Sequence, residues 1–204
     1  MTEHPGDDWR CGAVVLAAGA SSRLGQPKQL VRWNGEALVA RAARLAREAG
    51  CSPVIVVLGY EAERMQAALA TGDVQLVVNA DWASGMASSL RAGLAAWSEQ
   101  AVPGSSVLLL VCDQPRIEAD RLRELLAVHS SQDRKITAAA YGGRLGVPAV
   151  FRRDLLDELM AVRGDRGARA VIECHRSEAA TLAMPEAEFD IDSPGDLRVC
   201  LSGS

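Results

Sequence analysis

Four short, almost uninterrupted apolar runs, at 14–18, 54–58, 74–78 and 107–112, restrict this chain to very few folds. Each is too short for a core helix and lacks the polar alternation of a half-exposed strand, so each predicts a strand buried on both faces. Strands of that kind belong to a parallel sheet with helices on both sides. The intervening segments 36–49, 61–70 and 86–97 carry apolar residues at three- and four-residue spacing with charges opposite, which predicts crossover helices. The expected architecture is therefore α/β, a single-domain three-layer fold with a mostly parallel sheet built from right-handed βαβ units.

Beyond Asp113 the alternation weakens. Helices are expected at 118–129, 154–161 and 166–174, and strands at 136–141 and 148–151. No linker long enough to separate two domains interrupts the 204 residues, so 12–201 read as one domain, with 1–11 and 202–204 as flexible ends. A net charge of -4 gives no broad basic surface for a nucleic acid. No run reaches the roughly 18 apolar residues of a membrane span, and the acidic start does not resemble a secretion signal. A cytoplasmic location is expected. The five cysteines are widely spaced and form no CxxC pair, so neither a disulfide framework nor a zinc site is signalled.

Ligands of open α/β sheets bind beyond the carboxyl ends of the strands, which directs attention to the loop that leaves Ala18. Gly19 and Gly25 allow close backbone approach, Ser21 and Ser22 supply hydroxyls, and Arg23 and Lys28 supply two cations within six positions. The composition suits a triphosphate, although a plain connecting turn with solvated Arg and Lys is the alternative. Pro27 and a strand-like stretch at 29–33 argue that phosphates would meet a loop and not a helix end. A second site lies at the end of the fourth apolar run, where Asp113 is the acid placed to hold a hard cation such as Mg²⁺. The alternative there is a turn-forming Asp before Pro115. Cys112 reads as a small buried residue.

The stretch Leu16-Ala17-Ala18-Gly19-Ala20-Ser21-Ser22-Arg23-Leu24-Gly25-Gln26-Pro27-Lys28 closely resembles the LAAGxSxRxGxxK signature of the nucleotidyltransferases that attach CMP or GMP to molybdopterin. The pattern recurs more loosely in sugar-phosphate and methylerythritol-phosphate nucleotidyltransferases. The resemblance implies a Rossmann-like fold of the nucleotide-diphospho-sugar transferase type. It further implies an Mg²⁺-dependent enzyme, a nucleoside triphosphate bound by Ala17, Ala18, Gly19, Ser21, Ser22, Arg23 and Lys28, and Asp113 as the metal-holding Asp of the family's GDQP element. This chain has Cys112 where Gly is usual. Asn79-Ala80-Asp81-Trp82-Ala83-Ser84-Gly85-Met86-Ala87-Ser88-Ser89-Leu90 is similar to a cytidylyltransferase stretch that faces the nucleotide, which makes Asn79, Gly85 and Ser89 base-site candidates beside a plain helix-capping role.

Two later elements resemble the molybdopterin cytidylyltransferase branch and imply contacts to the second substrate: Gly146 and Pro148 of a GxP motif, and Asp165 and Arg169 of a GDxGAR motif. Val147 stands where that branch commonly has His. Asp190-Ile191-Asp192-Ser193-Pro194 resembles the family's closing motif. It offers Asp192 as a second metal ligand, Asp190 as the fallback, and helix capping as the alternative. The matches run from residue 14 to 197.

The implied reaction is transfer of CMP from CTP to the phosphate of molybdopterin, with Arg23, Lys28 and Asp113 as the catalytic set and a molybdoenzyme as the receiver of the product. Rivals are use of GTP or another phosphorylated acceptor, an NAD(P)-dependent oxidoreductase, and a cofactor-binding chaperone. Neither GxGxxG nor GxSxG occurs, and His4, His129 and His175 lie outside every motif.

Overall fold

The computed structural model describes residues 10–69 and 73–202. Seven strands form the main sheet: β1 (Cys11–Ala17), β4 (Val54–Leu58), β5 (Gln75–Val78), β6 (Ser106–Val111), β7 (Ile136–Tyr141), β8 (Arg144–Arg152) and β9 (Ala180–Ala183). Their order is β5-β4-β1-β6-β8-β7-β9. Strand β8 alone is reversed, pairing antiparallel with both β6 and β7. A separate hairpin, β2 (Arg32–Trp33) and β3 (Glu36–Ala37), turns at Asn34 and Gly35, which both have positive φ as a two-residue hairpin turn of this hand requires.

Among the described residues seven α-helices cover the sheet: α1 (Leu38–Glu48), α2 (Ala62–Leu69), α3 (Met86–Ser98), α4 (Ala119–Ser131), α5 (Leu156–Ala161), α6 (Arg169–Cys174) and α7 (Pro194–Ser202). Side chains of β1 alternate between two cores. Ala13, Val15 and Ala17 pack with Leu38 and Leu45 of α1, Met65 of α2 and Leu122 of α4. Val14 packs on the other side with Leu90, Leu94 and Trp97 of α3, Leu159 of α5 and Ile172 of α6. Gly93 lets α3 lie directly on the sheet, because a Cβ there would stand 2.4 Å from Val14. Among the described residues no helix is long and apolar enough to cross a membrane.

The α/β architecture is as the apolar runs require, with corrections of detail. β5 is an edge strand with one neighbour, so Leu76 and Val78 are 37% and 53% exposed and the expected burial on both faces fails there. The strand expected at 29–33 is instead a 3-10 turn, Lys28–Leu30, followed by the two-residue β2. Positive φ at Gly164 and Gly167 keeps 164–168 out of α6, which starts at Arg169. The expected loose ends fall largely outside the described residues, and Cys11 already belongs to β1.

Candidate active site

Strands β1 and β6 end side by side, and the segments that leave them line one cleft of about 540 Å³, within the range of small-molecule sites. The loop after β1 has no regular backbone, and Ser21 adopts φ 53°. Its shape is held by one buried side chain. Gln29, 1% exposed, donates from Nε2 to the carbonyls of Ala17 at 3.0 Å and Gly19 at 2.6 Å. The Ser21 hydroxyl donates to Gln29 Oε1 and accepts from the Lys28 amide at 3.1 Å. Leaving buried carbonyls without donors is costly, so this amide fixes the loop across its base.

Lys28 is directed by the same contacts toward the end of β6. Its ammonium lies 2.5 Å from Asp113 Oδ2 and 2.7 Å from Asp192 Oδ1. Burial opposes the charged form of Lys28, but the field of Asp113 and the hydrogen bonds to Asp113 and Asp192 outweigh it and raise its pKa. Asp192 is held in place by the start of α7. The Asp196 carboxylate accepts from the Asp192 amide and from the Ser193 amide and hydroxyl, while Ser193 Oγ accepts from the Asp196 amide. This reciprocal capping, with Pro194 at the first helical position, makes Ser193 the cap and leaves the Asp192 side chain free for the cleft. The Ile191 amide donates to the Asp113 carbonyl at 3.0 Å, locking the two acid-bearing segments together.

Asp113 Oδ1 is buried with no hydrogen-bond partner among the described residues. An orphaned carboxylate oxygen beside a second carboxylate suits a divalent cation. Two protein oxygens, phosphate oxygens and water would complete a coordination sphere of the kind Mg²⁺ takes. Arg23 stands at the rim, 80% exposed, 3.6 Å from Asp192 Oδ2. Asp190 does not line the cleft, and its Oδ1 is likewise buried with no hydrogen-bond partner among the described residues. Burial first, then Asp113 and Asp192, push its carboxyl up to about 6. Burial, followed by the Asp113 charge, pushes the Cys112 thiol up to about 12, so it is not a thiolate nucleophile at neutral pH.

Ala17, Ala18, Gly19, Ser21, Ser22, Arg23, Lys28, Gly85, Ser89, Asp113, Asp165 and Asp192 all line the cleft. Asn79 does not. It is buried and donates to the Ser88 and Ser89 hydroxyls at 2.8 and 3.0 Å while accepting from the Asp81 amide, so it positions the start of α3. Gly85, at φ 112°, has no room for a Cβ because Asp165 Oδ1 would stand 2.6 Å away. Together with the Ala87 amide bonded to the Gly164 carbonyl, that contact docks the Asp165 loop on the rim. Gly146 and Pro148 sit in β8, beyond the last rung of its pairing with β6, and Arg169 is exposed at the start of α6; these three lie outside the cleft lining.

Four residues that the sequence reading did not single out help to build the site. They are Gln29, Trp82 in the cleft wall, Gln114, whose Nε2 donates to the Val147 and Ala187 carbonyls, and Tyr141, whose hydroxyl donates to the Val147 carbonyl at 3.0 Å. Two of them carried a sequence signal: Trp82, as the aromatic in the Asn79–Leu90 stretch, and Gln114, as the Gln of the GDQP-like element.

Residues 13–181 match the MobA-like NTP transferase domain. The chain belongs to that family. It is 37% identical over 168 residues to the nicotine blue oxidoreductase of Paenarthrobacter nicotinovorans, covering 78% of this chain and 79% of that protein. It is 29% identical over 192 residues to a probable molybdenum cofactor guanylyltransferase of Nostoc sp., covering 92% and 88%. Among solved structures, Rv0371c of Mycobacterium tuberculosis in complex with manganese superposes with a TM-score of 0.77 at 29% identity, covering 96% of this chain and 100% of that one. The chain is thus a nucleotidyltransferase of the MobA-like family, related to the enzymes that build nucleotide forms of the molybdenum cofactor.

Proposed function

We propose that this nucleotidyltransferase moves CMP from CTP to the phosphate of molybdopterin in the cytoplasm, with release of pyrophosphate and with Mg²⁺ as its metal ion. The observation that carries the reading is the joint contact of Lys28 with Asp113 and Asp192, which ties the triphosphate-type loop to two carboxylates suited to a cation. In this reaction an acceptor phosphate oxygen forms a bond to the α-phosphorus of CTP as the bond to the β-phosphate bridging oxygen breaks. The electron pair leaves with pyrophosphate. The second pKa of a phosphate monoester is about 6, so the acceptor is already largely dianionic at neutral pH and needs no general base. Among the described residues no histidine lines the cleft.

The chain's task is then positioning and charge balance. Arg23 and Lys28 counter the charge of the triphosphate, Ser21 and Ser22 lie along the same loop, and Gly85 and Ser89 lie beside the base wall. Mg²⁺ held by Asp113 and Asp192 would supply further neutralisation of the phosphate oxygens. Gly146, Pro148, Asp165 and Arg169 are carried as acceptor-side residues, and a molybdoenzyme as the taker of the product.

Preference for CTP rests on Ala18, a buried residue at the end of β1 whose methyl group helps to form the cleft wall. The guanylyl branch tends to have Gly there, and one methyl group in a pocket is worth roughly a 10- to 200-fold preference. Pyrophosphate release measured with each nucleoside triphosphate, with and without molybdopterin, tests the reaction. kcat/KM for CTP and GTP in the parent and in Ala18→Gly tests the base. The parent should prefer CTP and the variant should move toward GTP; a parent that prefers GTP removes CTP from the proposal.

The relative named nicotine blue oxidoreductase favours a second reading, reduction of an organic acceptor by NAD(P)H. The loop after β1 lacks the GxGxxG spacing that such cofactors ordinarily require. Oxidation of NADH or NADPH by the purified protein that depends on an added quinonoid dye as hydride acceptor, without pyrophosphate release, would establish that reading instead.

A further inference from the structure

The strand order separates the two sides of the transfer. The triphosphate loop follows β1, Asp113 follows β6, and on the other side of β6 lies the β7–β8 hairpin. The β6–β8 ladder ends at the pair Leu109 and Ala149, whereas β8 continues back to Arg144, paired there with β7 alone. The hairpin therefore runs past the last rung of β6 at the same end of the sheet as the cleft. Gln114, next to Asp113, closes the gap at its base through the Val147 carbonyl, 3.2 Å away.

An in-line displacement requires the attacking oxygen to approach from the side opposite the leaving pyrophosphate. With Arg23 and Lys28 on the β1 side, the acceptor must enter from the hairpin side, and its attacking group is itself an anion. In the part of the hairpin that runs past β6, residues 141–148, the one cation is Arg144. Among the described residues it forms no ion pair. Its guanidinium carbon is held 5.1 Å from the centroid of the Tyr141 ring, its directly opposed neighbour in the hairpin. Its side chain is half-buried, and its charge partly offsets the burial that raises the pKa of both Asp190 and Tyr141. A guanidinium stacked on a ring keeps its donor edge open for bidentate contact with phosphate.

We infer that Arg144 binds the phosphate of the acceptor, with Tyr141 holding the guanidinium in place, so that the β7–β8 hairpin is the acceptor subsite for a phosphate monoester. The inference rests on the nucleotidyl-transfer reading of the cleft. Arg144 is a binding residue for the attacking group, and no bond forms or breaks on it.

The test varies molybdopterin at saturating CTP, and CTP at saturating molybdopterin, for the parent, Arg144→Ala and Arg144→Lys, with pyrophosphate release as the readout. Arg144→Ala should raise the KM for molybdopterin roughly 10- to 100-fold and leave the KM for CTP within about twofold, as loss of one charge-assisted contact to a single substrate implies. Arg144→Lys should recover part of the loss. Inorganic phosphate, as a competitor of molybdopterin, should inhibit Arg144→Ala more weakly than the parent. An unchanged KM for molybdopterin, or a raised KM for CTP, overturns the inference and leaves the transferase reading intact. A parent that releases no pyrophosphate with any nucleoside triphosphate overturns both. Should Arg144→Ala lose its thermal transition, Arg144→Gln keeps the stem over Tyr141 and takes its place.

Discussion

The two walls of the proposed transfer site, the loop that lines the cleft and the β7–β8 hairpin outside its lining, are built in opposite ways. The loop after β1 has irregular backbone, with φ 53° at Ser21 and 72° at Gly25, and is held by the Gln29 amide and the Lys28 ammonium. The β7–β8 hairpin is a backbone ladder that turns at Gly142 and Gly143, with the side chains of Tyr141 and Gln114 added at the Val147 carbonyl beside its register shift. The difference teaches where single substitutions act. On the loop wall one side chain, Gln29, supports the shape of the cleft lining, whereas on the hairpin wall the backbone ladder persists when one exposed side chain is changed.

The sharpest break of that comparison is at the boundary between the walls. Asp113→Asn keeps the shape and removes the charge, and turnover should fall about 10²- to 10³-fold or more with little change in melting temperature. Pyrophosphate release and a thermal melt read the two quantities, and near-parent turnover would take Asp113 out of the metal site. Next comes Lys28→Ala, which deletes the cation shared by two carboxylates and should weaken triphosphate binding by roughly 10- to 100-fold in an equilibrium titration. Arg23→Ala should act in the same direction and by less, since 80% of that side chain is exposed. Equal binding by both variants and the parent would reduce the loop to a connecting turn.

Gln29→Leu sharpens the contrast, because it leaves the Ala17 and Gly19 carbonyls without their donor. A loss of about 1–3 kcal/mol in a denaturant melt is expected, along with looser nucleotide binding. A variant with unchanged binding would mean that the loop keeps its shape without the amide.

The effect furthest from turnover belongs to the hairpin half and is confined to acid pH. His129 is buried between Ser106 Oγ and Thr137 Oγ1, at 3.1 and 2.9 Å, and burial, followed by the Arg152 charge, lowers its pKa from 6.5 to about 4. The unfolded chain takes up this proton first. The His129 contribution to stability is therefore whole above pH 6.5, declines by about 1.4 kcal/mol per pH unit as the pH falls toward 4, and is constant below that. Melts of the parent and His129→Gln across pH 4 to 7 check the sign: the variant should lack this component of the slope.

The same asymmetry governs how much could be read from the sequence. The loop wall was legible because its residues are contiguous and its strands are solid apolar runs that only a covered sheet accommodates. Gln29 was not, since a buried amide leaves no mark of its burial in a one-dimensional pattern. The hairpin was half legible. Pro148 gave the expected start of a strand at 148, but β8 begins at Arg144, and the register shift of the β7–β8 pairing lies between Ala138 and Ala139, opposite this Pro. The short, largely exposed β9 lacked a pattern altogether. Asp192 was legible as a motif but not as a neighbour of Lys28.

That last contact has a consequence for synthesis of the chain. Lys28 and Asp192 are 164 positions apart, whereas Lys28 and Asp113 are 85 apart. Chains emerge from the ribosome N-terminus first, at roughly 5–20 residues per second. The loop and its first carboxylate can meet once β6 is out, but the second carboxylate arrives seconds later, after the hairpin and α6 have been made. During that interval the nascent protein carries a half-assembled site, with one acid on Lys28 and the other still inside the ribosome. A translational pause between β6 and α7 would prolong that state, and ribosome-bound chains cut short before Asp192 should hold nucleotide less tightly than the finished protein.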